Sequence, residues 1–246
     1  MKIFIDSANI EEVKKYIMWG LCQGVTTNPS ICLKCGVKGG MEGIKKRTIE
    51  IARLINPLPV SAEVTSDDME EVMTQAREYS RWAENIAIKI TITDRQGNSL
   101  LPAIYKLTKE GISVNVTTML TFNQGILAAR ALKSGRERAF QKPKYSFISL
   151  FAGRISEEYG ANHAFEVIKN VRDWLDFHKY EEIEIIVGSV RSQENVELWS
   201  RSGAHILTIP PEVLGKCLAS ARTKETVEQF IGDAKKAMEE LGGGAQ

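Results

Sequence analysis

Three features of the sequence predict an α/β chain folded as a single (β/α)8 TIM barrel with one extra C-terminal helix. Short β-branched runs alternate with amphipathic helical stretches from one end to the other. The runs are apolar on both faces, as in a parallel sheet covered by crossover helices. Eight such units fit into 246 residues, the usual size of a closed barrel. Periodicity alone does not show closure, so a doubly wound open sheet satisfies the same pattern.

The predicted strands are Lys2–Asp6, Gly24–Asn28, Val60–Thr65, Ile86–Thr91, Ser113–Thr118, Tyr145–Phe151, Ile183–Ser189 and His205–Ile209. Between them lie striped helices. Met69, Val72, Met73 and Ala76 share one face, as do Val167, Ile168, Val171, Trp174 and Leu175. The glycine-rich stretch Gly36–Gly43 lacks the GK[ST] ending of a phosphate-binding loop and is expected to be a flexible βα loop. Pro211–Ser220 supplies the eighth helix. Thr223–Leu241 then adds a ninth, with Val227, Phe230, Ile231, Ala234, Met238 and Leu241 on one stripe. The expected division is a barrel over residues 1–222 and a helix and tail over 223–246, which cover either the barrel end or a neighbouring subunit.

Composition narrows the function. With 32 basic and 31 acidic side chains, the chain shows no charge bias toward nucleic acid or an anionic membrane. It has no apolar run long enough to span a bilayer and no signal-peptide pattern, so it reads as cytoplasmic. Four cysteines are too few for a disulfide scaffold in a chain of this size. Cys32 and Cys35 form a C-x-x-C, but no second pair accompanies them and His163, His178 and His205 are scattered. No metal and no cofactor is expected.

The strand ends carry the chemistry. In a barrel, reactive groups project from the C-terminal ends of the strands. Here those ends read Asp6, Asn28, Glu63, Lys89, Asn115 with Thr117, Ser149 and Ser189. A single polar strand end is commonly a cap or a turn; a series of them around one lysine looks like an active site. Lys89 stands inside the apolar run NIAIKIT. Either a carboxylate faces it, or the amine is carried uncharged, because a lone buried ammonium is costly. An uncharged amine attacks a carbonyl to make a Schiff base, whose iminium lets the bond between the next two carbons break. Asp6 and Glu63 can move protons through a water, and Asn28 and Asn115 can hold hydroxyls. The structural alternative is a buried cation paired with Asp6 or Glu63.

The segments IDSANIEEV, GVTTNPSI, AIKIT, VNVTTMLTFNQ, SLFAGR and GSVRSQENV, in that order over nearly the whole chain, resemble the short-chain transaldolase family, which includes the fructose-6-phosphate aldolases. The resemblance implies a Schiff-base aldolase-type barrel with Lys89 as nucleophile. It implies that Asp6, Glu63 and Thr117 handle protons and a catalytic water. Asn28, Asn115 and Ser149 would bind a dihydroxyacetone unit, and Arg154, Ser189 and Arg191 would clamp the acceptor's phosphate. For Ser189 and Arg191 there is also a physical case. They follow strand seven, where barrels often bind phosphate, and an arginine fork suits phosphate oxygens. The implied reaction is sedoheptulose 7-phosphate plus glyceraldehyde 3-phosphate going to erythrose 4-phosphate plus fructose 6-phosphate, within the pentose phosphate pathway. The implied partners are phosphorylated sugars and other copies of the chain, in rings of five often paired into decamers.

The alternative function is an aldolase that releases free dihydroxyacetone, or the same chemistry on another sugar phosphate. The aldolase branch carries glutamine where Glu63 stands and tyrosine where Phe151 stands, which favours transfer here. Other departures from the family pattern are Leu150, Ala152 and Val190, the Thr91 that replaces a proline, and a longer, basic link over Arg136–Lys144. Leu150, Ala152 and Val190 are expected to rim the acceptor side of the pocket mouth.

Overall fold

The computed structural model describes residues 1–242, and its eight strands close in chain order into one barrel. The first half runs β1 (Lys2–Asp6), α1 (Ile10–Met18), β2 (Val25–Thr26), α2 (Pro29–Lys34), α3 (Gly40–Ile55), β3 (Val60–Glu63), α4 (Met69–Tyr79), β4 (Ile86–Thr91) and α5 (Leu101–Lys109). Next come β5 (Val114–Met119), α6 (Phe122–Arg138), β6 (Ser146–Phe151), α7 (Ala152–Tyr159) and α8 (Ala161–Phe177). The chain finishes with β7 (Glu184–Gly188), α9 (Gln193–Trp199), β8 (Ile206–Ile209), α10 (Pro211–Cys217) and α11 (Ala221–Gly242). All neighbouring strands are parallel, and Lys2–Ile5 of β1 against Ile206–Ile209 of β8 closes the ring. The open sheet is thereby ruled out.

Two apolar regions hold this shape. The larger lies between the strands and the helices, where Ile88, Ile90, Val116, Ile148 and Leu207 are completely covered. The smaller fills the barrel's floor with Phe4, Ala87, Phe147, Ile186 and Ile206. Phe4 meets Phe147 edge-on, ring centres 5.9 Å apart. A Cβ on Gly24 would lie 2.5 Å from the Phe4 ring, so only glycine lets that ring lie across the floor. Inward side chains recur every second residue along a strand. One step above Phe4, Gly24, Ala87, Phe147 and Ile206 stand Asp6, Thr26, Lys89, Ser149 and Thr208. An oily floor carrying a polar layer follows from that alternation.

Several sequence expectations need correction. Strand two is only Val25–Thr26, because Gly24 lies beneath Phe4 and Asn28 leaves the sheet to cap α2. The Gly36–Gly43 stretch is not a loop throughout: α3 starts at Gly40, after Gly39 at φ 92°. A Cβ on Gly43 would fall 1.8 Å from the Lys38 carbonyl oxygen, so that glycine lets the first turn of α3 pack on its own approach. β2 and β6 are each followed by two helices, since α2 and α7 precede α3 and α8. Helix α6 runs through Arg138, so the link to β6 begins only at Ala139. Lys142 folds that link back, donating to the Arg136 and Glu137 carbonyls at 2.7 and 3.2 Å.

Helix α10 ends at Cys217 rather than Ser220. Helix α11 starts at Ala221, two residues before the expected Thr223, and buries none of its side chains. The end of the expected tail, residues 243–246, lies outside the described residues. Among the described residues no helix is long and apolar enough to cross a membrane.

Candidate active site

Strand pairing sets Glu63 of β3 directly opposite Lys89 of β4. Lys89 Nζ lies 2.9 Å from Glu63 Oε2, with the lysine side chain 7% exposed and the glutamate 25%. The lysine in the apolar strand therefore has its carboxylate. The next inward residue on the same level is Asn115, paired with Lys89 across β4 and β5.

Asp6 ends β1 on the other side of the barrel. The Thr26 hydroxyl donates to Asp6 Oδ1 at 2.6 Å and also touches the Thr208 hydroxyl. Asp6 keeps some access to solvent, yet its carboxyl sits low in the barrel. Burial raises it above the ordinary carboxylate range, with the Thr26 hydrogen bond and the Lys89 charge opposing.

Asn115 is fully covered and orders its neighbours. Its amide NH2 donates to Ser61 Oγ at 3.0 Å, and its Oδ1 accepts from Ser149 Oγ at 2.7 Å. Thr117 and Thr118 follow at an irregularity in the pairing of β5 with β6, where Thr118 takes φ 61°. Such irregularities re-aim side chains beside active sites. Thr117 Oγ1 is buried with no hydrogen-bond partner.

Above this layer opens a cavity of about 260 Å³ whose walls include Asp6, Asn28, Lys89, Ser149 and Phe151. Asn28 caps α2, its Oδ1 accepting from the Ile31 N–H at 2.7 Å, which leaves its NH2 to donate elsewhere. The Phe151 ring centre is 5.9 Å from Lys89 Nζ. Arg154, Ser189 and Arg191 line the same cavity. Their placement depends on Gly153, where a Cβ would sit 1.9 Å from the Ser189 carbonyl oxygen, so α7 closes onto the exit of β7 only through a glycine. Ser189 itself takes φ 62°, a conformation costly for a residue with a Cβ. Arg191 is paired with Glu157 of α7.

Of the residues expected from sequence, Asn115 and Thr117 are completely covered and absent from the lining, and Glu63 lines a neighbouring opening with Thr65, Thr91 and Thr118 instead. Leu150, Ala152 and Val190 do not rim the mouth, for all three are buried away from it. Thr26, Thr208, Ser30 and Lys34 line the cavity and were not among the expected residues. Thr26 and Thr208 had a signal: each lies two positions beyond a floor residue. Cys32 is buried in α2, and Cys35 at its end lies 3.8 Å from Ser7 Oγ; all four cysteines are free thiols. Among the described residues no cluster of three His, Cys, Asp or Glu side chains could hold a metal ion.

Comparison with known proteins gives the chain's family. The family model described as transaldolase/fructose-6-phosphate aldolase matches residues 3–243. A protein named probable transaldolase from Streptococcus agalactiae serotype V is 35% identical over 233 residues, covering 95% of this chain and 97% of that protein. Another of that name from Clostridium botulinum (strain Langeland) is 36% identical over 240 residues, covering 98% and 99%. Among solved structures, KGPDC from Streptococcus mutans superposes with a TM-score of 0.50 at 11% identity, over 85% of this chain and 86% of that one. That last likeness is one of fold alone.

Proposed function

The chain belongs to the transaldolase/fructose-6-phosphate aldolase family and is an aldolase-type enzyme, and from that premise we propose that it transfers a dihydroxyacetone unit between phosphosugars through a Schiff base on Lys89. The donor and acceptor we assign are sedoheptulose 7-phosphate and glyceraldehyde 3-phosphate, giving erythrose 4-phosphate and fructose 6-phosphate. The observation that carries this reading is the Lys89–Glu63 contact at 2.9 Å, with Lys89 in the same cavity as two arginines.

Glu63 takes the proton that Lys89 Nζ must lose before it attacks the ketose carbonyl. The resulting carbinolamine then loses its hydroxyl as water, with Glu63 returning the proton, and an iminium remains. The Thr117 hydroxyl, buried without a protein partner, is the group we assign to that water. Asp6, whose carboxyl burial favours holding a proton, takes the proton of the hydroxyl on the carbon beyond the breaking bond. That bond's electron pair moves into the iminium as an enamine, and the first aldehyde leaves. The enamine carbon then attacks the acceptor aldehyde, Asp6 returns the proton to the new alkoxide, and water releases the product ketose.

The amide of Asn28 and the hydroxyl of Ser149 hold the dihydroxyacetone hydroxyls, while Asn115 is a positioning residue that fixes Ser149. Arg154, Ser189 and Arg191 receive the phosphate. Phe151 offers no hydroxyl to hold a proton donor beside the enamine, which favours transfer over release.

Borohydride added with fructose 6-phosphate should leave one dihydroxyacetone-derived mass on the peptide that holds Lys89. Lys89→Met should abolish adduct and turnover alike. An adduct on a different lysine would refute the assignment.

We also assign α11 to a neighbouring subunit, in a decamer. Its Val227, Phe230, Ile231, Met238 and Leu241 are all exposed, and a striped helix of this length that covers nothing of its own chain calls for a partner surface. A cytoplasmic location fits phosphorylated substrates and free thiols.

A further inference from the structure

The phosphate end of the cavity carries more charge than its two arginines. Lys34, in the last turn of α2, lines the same cavity as Arg154, Ser189 and Arg191. Among the described residues neither Lys34 nor Arg154 forms an ion pair. Arg191 is different, because Glu157 already holds it. Lys34 approaches from the β2 side and the arginines from the exits of β6 and β7. Only β8 and β1 lie between those exits and β2, so the cations bracket the space above Thr208 and Asp6.

Three cations against the Glu157 carboxylate leave two positive charges, and Asp6 in the same cavity is a carboxyl whose burial opposes its charge. A phosphate monoester carries close to two negative charges at neutral pH, whereas the arginines and Glu157 alone would offer one. The chemistry of the groups differs usefully. Each arginine fork can grip two phosphate oxygens, and a lysine adds a mobile point charge that needs no fixed angle.

We propose that Lys34 is a third phosphate-binding residue of this site, and that Glu157 competes with the phosphate for Arg191, so that the cavity is matched to the dianion of a phosphate monoester. The inference rests on the transfer reading above and deepens it by naming the charge state of the substrate's recognised end. Binding exchanges the Glu157 carboxylate for phosphate on Arg191 while Lys34 and Arg154 supply charge that nothing else among the described residues claims. The two side chains should therefore act in opposite directions when altered.

The test is a titration of the intact enzyme with inorganic phosphate at constant ionic strength, followed by calorimetry. Lys34→Met should weaken binding about tenfold, the loss expected for one charge-assisted contact. Lys34→Arg should stay within about twofold of the wild type, since the charge is kept. Glu157→Gln should bind several-fold tighter, because phosphate no longer competes for Arg191. Unchanged binding in Lys34→Met, or no tightening in Glu157→Gln, overturns the proposal. Glu157→Gln removes no cation and reads the competition for Arg191 alone, while the exposed position of Lys34 lets Lys34→Gln read the third contact where Lys34→Met fails to fold. Trapping dihydroxyacetone on wild-type Lys89 with borohydride needs no phosphate, so failure of the Schiff-base reading and failure of this one are read separately.

Discussion

Phe151→Tyr should turn a transferring enzyme partly into a releasing one. The ring stands 5.9 Å from Lys89 Nζ in the cavity wall, and Gly188 leaves it room, since a Cβ there would come within 3.3 Å of the ring. The ring is partly buried and lines the cavity, so one added oxygen should alter stability by less than about 0.5 kcal/mol. What changes is the fate of the enamine. A phenol can hold a water or a proton beside it, through one hydrogen bond worth about 0.5–1.5 kcal/mol. At about 1.4 kcal/mol per tenfold, the ratio of release to transfer should rise roughly two- to tenfold. The assay supplies fructose 6-phosphate alone and measures free dihydroxyacetone, then adds erythrose 4-phosphate and measures transfer. The wild type should release little until the aldehyde is present. Rapid release by the wild type without acceptor, or an unchanged ratio in the variant, would refute the reasoning.

Arg191→Ala should cost about 2 kcal/mol in kcat/KM for phosphorylated acceptors and far less for unphosphorylated ones; equal losses would show that the arginine only braces Glu157. Truncation before Ala221 should shrink the assembly seen by light scattering, and a full-length monomer would contradict the role given to α11. Asp6 supplies a pH test. Its carboxyl is raised in the folded protein by burial, so the folded chain keeps a proton that the unfolded chain loses near pH about 3.9. Wild-type stability should therefore fall as pH climbs from the unfolded value through the raised one, and then level off. Asp6→Asn cannot ionise, so it should melt higher than the wild type at neutral pH while losing turnover.

Lys89 was legible in the sequence because only one charged residue interrupts the run Ile86–Ile90, and burial makes such an interruption expensive. Its partner was legible only as one of two carboxylates, Asp6 or Glu63, and it is the parallel register of β3 with β4 that selects Glu63. The barrel followed from eight apolar runs, which tolerate errors of one or two residues at each end. Other features depend on chain-distant contacts. That Gly24 makes space for Phe4 is invisible without the barrel's closed floor, and Gly43 reads as flexibility until the Lys38 carbonyl is placed against it. Asn115 lies below the cavity because it bonds to Ser61 and Ser149 on strands far apart in the chain. Glu157 and Lys34 became neighbours of the site only through α7 and α2, two short helices whose periodicity is too brief to register.

The plugged floor has a kinetic consequence. Phe4 and Phe147 fill the lower end, so among the described residues the Lys89 chamber opens upward, through the cavity lined by Arg154 and Arg191. In a transferase of this form the departing aldehyde and the incoming one use the same doorway and the same space over the lysine. They cannot be present together. Turnover then alternates between two enzyme forms, one free and one carrying the three-carbon unit. Initial rates plotted as double reciprocals should give parallel lines, with the two aldehydes competing for the loaded form and the two ketoses competing for the free one.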